Sequence, residues 1–588
     1  MTDDEKKRLR AEWTAAHDFD PRDPMLGLER RELCGPRMSR RATLRLLAAS
    51  GALTAAHLMP GPVGRAMAQG TPGGTLTCGW AGVAEITTLD PAQIGQVLQF
   101  QVTSNVLSGL MHINADLIAE GDLAESWEVS EDGLTYTFKL REGVTFHNGD
   151  PFTADDVLFT YERSSNPEKS IHSSVLANVA NLEKLNDHEV RFTLKQPQAS
   201  FLTKTLERAS GRAMTIVSRG ALEEMGVSQY GLTPVGTGPF RITEHQLGQG
   251  VVMEKFDNFY DPERPKLDKV IIKPVDGAEP LAAAIEAGDI QYIGGNPIAA
   301  QLIDRFKQNP DLVTDVKPGP GFQSLWLNPW VEPMRVENFD KPLEELKQEK
   351  GFQVRLAIAK ALNRDLYVQQ ARFGYSYPAH GTINPAMGFY FEDDLSETSE
   401  QAFDAAGAQA LLTEAGYPGG EGFPELELMV RPSEKRDGLV IANILNQVLG
   451  ITVKPVTTEF SVQIERFTAM DFQLRLGGSG GDYDPDDALV DWMMTESKFN
   501  GRTRDTDEMP FGFFSEAEVD RLVEEQSVTA DPDARRDLVQ KANRITSDKV
   551  ACGFLYHPVD VQVRHKSVNF PAVSRIPGLN DLDRVTLS

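Results

Sequence analysis

Between Leu474 and Asp487 the chain reads LRLGGSGGDYDPDD: an apolar run ends in four glycines around a serine, and a dense acidic cluster follows. Residues of these types allow four chemistries. A phosphate cradle needs GxGxxG at a strand-to-helix turn, or Gly-Lys-Ser/Thr; Gly477, Gly478, Gly480 and Gly481 keep neither spacing. A calcium loop starting at Asp482 has Asp484 and Asp486 in phase, but needs glycine where Asp487 stands and glutamate where Met493 stands. Acyl transfer is the third. Gly477-Gly478-Ser479-Gly480-Gly481 fits the GxSxG of a nucleophile elbow, with Ser479 as nucleophile, Asp491 as orienter and His557 as base. An elbow needs a helix directly behind its serine, and here Pro485 and its aspartates intervene without beginning a clean helix. The fourth is the floor of a ligand pocket, bare backbone with an acid beside it. The same residues also fit a plain solvated acidic turn.

Other chemistries find less support. The 10 histidines form no HxxxH or HExxH pair, so a protein-built metal site is not expected, although a metal chelate carried as solute stays open, and no cofactor is expected. The three cysteines, Cys34, Cys78 and Cys552, form no CxxC pair, which disfavours a thiolate zinc site. Cys78 and Cys552 could form a disulfide in an oxidising compartment, and spacing does not decide it. Net charge is −27, and removal of residues 1–68, with 12 Lys/Arg and 9 Asp/Glu, leaves −30. Such a body repels nucleic acid and anionic lipid faces, so no nucleic-acid partner is expected.

The elements that must position the glycine stretch alternate along the chain. At 588 residues it exceeds one core, and about two to four lobes are expected. Thr75 to Trp80 reads as a first strand, and Val102–Leu110 as a helix. Around Thr135–Leu140, Tyr136, Phe138 and Leu140 alternate with Thr137 and Lys139, the period of a half-buried strand. Thr153 caps a helix over Ala154 to Ser164, with Asp155 and Asp156 in its first turn. Lys350 to Gly374 reads as one helix, and LELMV, ITVKPV and FQLRLGG read as strands. Trp127 and Phe146 read as core. The class is mixed α/β without repeats.

The N-terminus reads as an address. Arg40-Arg41 precede a moderately apolar run, Leu44 to Met59, and Ala66-Met67-Ala68 gives the small-x-small pattern of signal cleavage. The arginine pair resembles a twin-arginine signal, which predicts a periplasmic mature chain starting near Gln69. Residues 1–37 form a charged extension, and Met38 is a second candidate start.

Six blocks in order, LAESWEVSEDGLTYTFKLREGVTFHNGDPFTADDVLFTYER, PVGTGPFRI, VRLAIAKALNRDLYV, AHGTINP, AQALLTEAGYP and GGDYDPDDAL, resemble the peptide/nickel-binding class of ABC-transporter solute-binding proteins. The resemblance covers about residues 75–570. It implies a bilobal α/β periplasmic-binding-protein fold with an extra α/β domain inserted in lobe I and two interlobe crossings. The implied division follows signal residues 1–68 with lobe I over 69–108, 234–322 and 555–588, the extra domain over 109–233, and lobe II over 323–554. It implies a monomer that carries a peptide or peptide-like small-molecule solute to ABC permease membrane subunits, with no catalysis of its own. Carried over residue by residue, Gly478 and Gly480 offer backbone to the solute, Tyr483 flanks it, and Asp482 takes its ammonium. Family members often show Asp-Tyr-x-x-Pro, whereas here the spacing is Asp482-Tyr483-Asp484-Pro485, leaving the anchor open between Asp482 and Asp484. Ile94–Leu98, including Val97, matches the lobe I stretch that pairs with peptide backbone, and Trp326 is a candidate cleft aromatic, although an aromatic in a strand is commonly core. A secreted hydrolase using Ser479 and a solute sensor are the alternatives.

Overall fold

The computed structural model describes residues 73–81, 86–95, 97–113, 119–206, 213–275, 277–294, 298–480, 484–497, 499–500, 511–529, 531–570 and 581–588. The expected signal segment and the start near Gln69 lie outside the described residues.

Three sheets organise the chain. The first has seven strands in the order Leu312–Pro318, Val559–His565, Tyr292–Ile293, Thr75–Ala81, Lys269–Val275, Gly250–Lys255, Phe240–Gln246. The second has six: Tyr377–Pro378, Gly553–His557, Phe322–Leu327, Leu474–Ser479, Leu426–Val430, Val453–Thr457. A third, of four strands between Ala124 and Leu194, packs Phe138, Phe192 and Phe201 into its own cluster. Phe146 is buried in that cluster and Trp127 packs on it half-buried, the core roles expected of them.

The chain passes between the first two sheets twice. Leu312–Pro318 leads through residues 319–321 into Phe322–Leu327, and Gly553–His557 leads through Pro558 into Val559–His565. The two passages touch: the Gly319 amide donates to the Pro558 carbonyl at 2.9 Å, and the His557 Nδ1 lies 3.0 Å from the Gly321 carbonyl. Gly321 sits at φ +104°, and a Cβ there would fall 2.2 Å from the Ser479 carbonyl oxygen, so only glycine fits between this passage and the end of the glycine-bearing strand.

Local signals explain most elements. Tyr136, Phe138 and Leu140 are buried on one face of their strand, as the alternation predicts. Thr153 caps Ala154–Ser164 in a capping box with Asp156. Two readings are corrected. The single helix expected from Lys350 to Gly374 is two, Lys350–Ala361 and Arg364–Arg372, because the Asn363 side chain accepts from the Leu366 amide at 2.9 Å and starts a new helix. The helix expected at Val102–Leu110 spans Val97–Val106.

Cys78 and Cys552 are free thiols buried in different clusters, so the disulfide considered above is absent. Burial raises both pKa values, that of Cys552 to about 12.

Candidate functional site

The strands Leu426–Val430, Val453–Thr457 and Leu474–Ser479 run parallel, with Phe322–Leu327 antiparallel beside them. Val430, Thr457 and Ser479 therefore end at one edge, the edge at which Phe322 enters from the passage between sheets. In open α/β sheets ligands gather outside the carboxyl ends of the strands. The glycine stretch is the end of the central strand of this edge.

Its backbone is bare for steric reasons. A Cβ on Gly478 would lie 1.9 Å from the Phe322 carbonyl oxygen, inside the strand pairing, and one on Gly477 would lie 2.8 Å from the Arg475 guanidinium carbon. Gly480 is exposed and meets nothing within 4 Å. Gly478 is thus required by the neighbouring strand, whereas Gly480 leaves open space. Asp482 and Tyr483 lie outside the described residues.

The remaining acids are fully used. Asp484 caps the helix Pro485–Trp492: its carboxylate accepts from the Asp486 amide at 3.0 Å, and Asp487 closes a capping box by accepting from the Asp484 amide at 3.1 Å. This corrects the expectation that no clean helix follows the glycines. The signal was present in the sequence, since Asp-Pro-Asp-Asp supplies an N-cap acid, proline at the first helical position and an acid at the third. Arg535 grips Asp484 in a fork, Nη2 to Oδ1 at 2.5 Å and Nη1 to Oδ2 at 3.1 Å, and lies 3.5 Å from Asp486. Burial opposes ionisation of Asp484, but Arg535 outweighs it and holds the carboxyl below its usual range. Nothing in the glycine stretch pointed to Arg535, which lies 51 residues downstream of Asp484.

The acids also bridge to the third-sheet body. Ser200 Oγ donates to Asp486 at 2.8 Å, Lys204 Nζ reaches Asp487 at 2.9 Å, and the Ala199 amide donates to the Ser527 carbonyl at 2.8 Å. Burial works against the Lys204 ammonium, yet Asp487, Asp491 and Asp486 raise its pKa.

Two further site readings change. Trp326 is fully buried in the second-sheet core, stacked with Trp492 at 5.5 Å, and its Nε1 donates to the Gly477 carbonyl at 2.9 Å. It braces the glycine strand from within and does not line a cleft. Val97 is the first residue of a helix, so its backbone is not the extended segment that strand-like pairing with a peptide requires.

The nucleophile elbow is not built. Ser479 ends a regular strand opposite Phe322 and has none of the positive φ found at Phe373, Met470 and Val550. An elbow serine needs a sharp, strained turn with a helix directly behind it, whereas the helix here begins only at Pro485. His557 is buried, with its pKa pushed down to about 4 by burial, and it engages Gly321.

Comparison with known proteins gives a consistent picture. The family described as bacterial extracellular solute-binding proteins, family 5 Middle, matches residues 119–501. The glutathione-binding protein GsiB of Escherichia coli O1:K1 / APEC is 31% identical over 338 residues, covering 57% of this chain and 61% of that protein. The chain therefore matches less than two thirds of that relative's length. Among solved structures, the periplasmic binding protein DppA of Helicobacter pylori, in complex with the peptide STSA, superposes with TM-score 0.70 at 24% identity, over 88% of this chain and 98% of that one. The oligopeptide-binding protein AppA of Bacillus subtilis, in complex with a nonapeptide, superposes with TM-score 0.70 at 21% identity, over 88% and 100%. These likenesses show the fold, the bilobal architecture of a periplasmic binding protein.

Proposed function

The chain belongs to the bacterial extracellular solute-binding proteins of family 5, and from that premise we propose that it is the periplasmic receptor of an ABC importer, binding a peptide or peptide-like solute between its lobes and presenting it to the permease. The observation that carries this reading is the bare carboxyl edge of Leu474–Ser479 beside the two passages, a place where an extended solute backbone can lie against glycine. In this reading lobe I takes residues 69–108, 234–322 and 555–588, the extra domain 109–233 and lobe II 323–554, a division that strand membership of the three sheets supports except at its edges, where Phe322 and residues 555–557 belong to strands of the second sheet. Export through a twin-arginine signal and action as a monomer without turnover belong to the same proposal. Relatives named for glutathione and for peptide complexes point to the solute class.

Asp482 is the proposed ammonium anchor. What supports Asp482 over Asp484 in this reading is that Asp484 is already committed to Arg535 and to its helix cap. Native mass spectrometry of gently purified protein tests the proposal. A retained small molecule that leaves on denaturation is expected, and Ser479-dependent hydrolysis of an ester or peptide probe would overturn it in favour of an enzyme.

A further inference from the structure

One charge beside the glycines has no hydrogen bond or ion pair among the described residues. Arg475 sits on the same strand, 4% exposed, with its guanidinium folded over Gly477 and 4.1 Å above the Phe467 ring. Its Nε and Nη1 are buried and make no hydrogen bond among the described residues. Gln463 is fully buried one helical turn before Phe467, on the same face of the helix Phe460–Thr468, and neither atom of its amide has a partner among the described residues.

The nearby charges do not balance. At the end of Leu426–Val430, Arg431 pairs with Glu434. One turn on, Asp437 accepts from the Tyr367 hydroxyl at 2.6 Å and lies 3.6 Å from Arg372. Among the described residues three arginines, 372, 431 and 475, thus face two carboxylates, Glu434 and Asp437; Arg475 feels the charge of Glu434 but is bonded to neither, and is the surplus cation. A buried guanidinium without a hydrogen-bonded counter-ion is costly, and burial, helped by the neighbouring Arg431, pushes its pKa down to about 10 against the attraction of Glu434. In a protein of net charge −27, a buried cation without a bonded counter-ion, folded toward Gly477 on the glycine-bearing strand, is an exception that an incoming anion would resolve.

Resting on the solute-binding reading above, we propose that Arg475, with Gln463 on the helix that packs Phe467 against it, forms a subsite for an anionic group of the solute, a carboxylate drawn by the guanidinium charge. The absence of a side chain at Gly477 leaves the guanidinium its place against the strand. The inferred solute class is a peptide-like molecule bearing a carboxylate near its bound backbone, such as an acidic residue or a γ-glutamyl unit, rather than a neutral peptide.

The test is a matched-pair titration of the purified protein. Wild type and Arg475→Met are titrated calorimetrically with glutathione and its ethyl esters, and with dipeptides carrying Glu or Asp against their Gln or Asn counterparts. The subsite predicts that wild type prefers the acid of at least one pair by about 10- to 100-fold. Arg475→Met should lose that preference while the empty protein melts no lower, because replacing an unpaired buried cation by an apolar side chain relieves a penalty. Arg475→Lys should keep part of the preference. Equal binding of acid and amide by wild type, or a preference that survives in Arg475→Met, overturns the subsite and leaves the solute-binding reading standing. Failure of wild type to bind any member of the panel overturns the peptide-like reading and the subsite with it. Should Arg475→Met melt far below wild type, a structural role for the guanidinium replaces the subsite.

Discussion

The aspartates after the glycine stretch and the arginine before it make an instructive pair. Asp484, Asp486 and Asp487 are buried or half-buried acids, and each has its counter-charge or donors: Arg535 for two of them, Lys204 for the third, with Ser200 and Ser527 besides. Arg475 is as deeply placed on the strand that leads into them, yet no hydrogen bond or ion pair holds its guanidinium among the described residues. The satisfied acids build architecture: they start the helix Pro485–Trp492 and join it to Ser200 and Lys204 beside the four-stranded sheet. The buried cation packs on Phe467 without such a bond among the described residues, and in the proposal above that difference separates residues that hold the structure together from one that receives an anionic group of the solute.

The largest way to break this contrast is to remove the cation from the satisfied side. Arg535→Ala strands Asp484 and Asp486 in a buried site and should cost about 3–5 kcal/mol of folding stability, read by urea denaturation. A loss below about 1 kcal/mol would class the acids as solvated surface charges.

Asp560 sharpens the contrast from a third position, beside the passage between sheets. It is buried, accepts from Gln562 at 2.9 Å, and burial raises its pKa from 3.8 to about 6. The folded protein therefore holds a proton there that the unfolded chain releases, and this group's contribution to stability falls as pH rises from 3.8 to about 6 and stays low above it. Asp560→Asn should gain roughly 2–3 kcal/mol at pH 7.5 and almost nothing near pH 4. Thermal melts at the two pH values read this, and an equal gain at both would remove the buried-charge explanation.

Smaller effects come from the bridge and the glycines. Lys204→Met removes the tie to Asp487 and should shift the balance toward an open form by about 1–2 kcal/mol, seen as a larger radius of gyration by small-angle scattering of the empty protein. An unchanged radius would make the pair a static contact. Gly478→Ala forces a Cβ against the Phe322 carbonyl and should cost about 1–3 kcal/mol, whereas Gly480→Ala should stay within about 0.5 kcal/mol in folding. Matching costs would mean that the glycine stretch is uniformly constrained.

What was legible in the sequence follows from the range of the interactions involved. Thr153 with Asp156, and Tyr136, Phe138 and Leu140, are local patterns, and they fix a helix start and a strand face without outside help. Asp484-Pro485-Asp486-Asp487 is equally local, but the expectation of a loop obscured its capping box. Trp326 could not be placed from one strand, because whether its face meets solvent or Trp492 is decided by a helix more than 150 residues away. The partners of the acids, Arg535 and Lys204, and the lack of any for Arg475, are long-range facts that no spacing rule carries. The order of family blocks made the fold readable, but the cleft chemistry required the packed structure.

The central claim, that this chain receives a peptide-like solute by its amine at the glycine edge, is tested most directly by thermal melts of the purified protein across amine-bearing peptides, glutathione and their N-acetylated counterparts, repeated with Asp482→Ala. The account predicts that at least one free peptide raises the melting temperature by about 5 °C or more at saturating concentration. N-acetylation and Asp482→Ala should each remove that rise, while the empty variant melts as wild type does. A rise of the same size for N-acetylated and free peptides, or one that persists in Asp482→Ala, would contradict it.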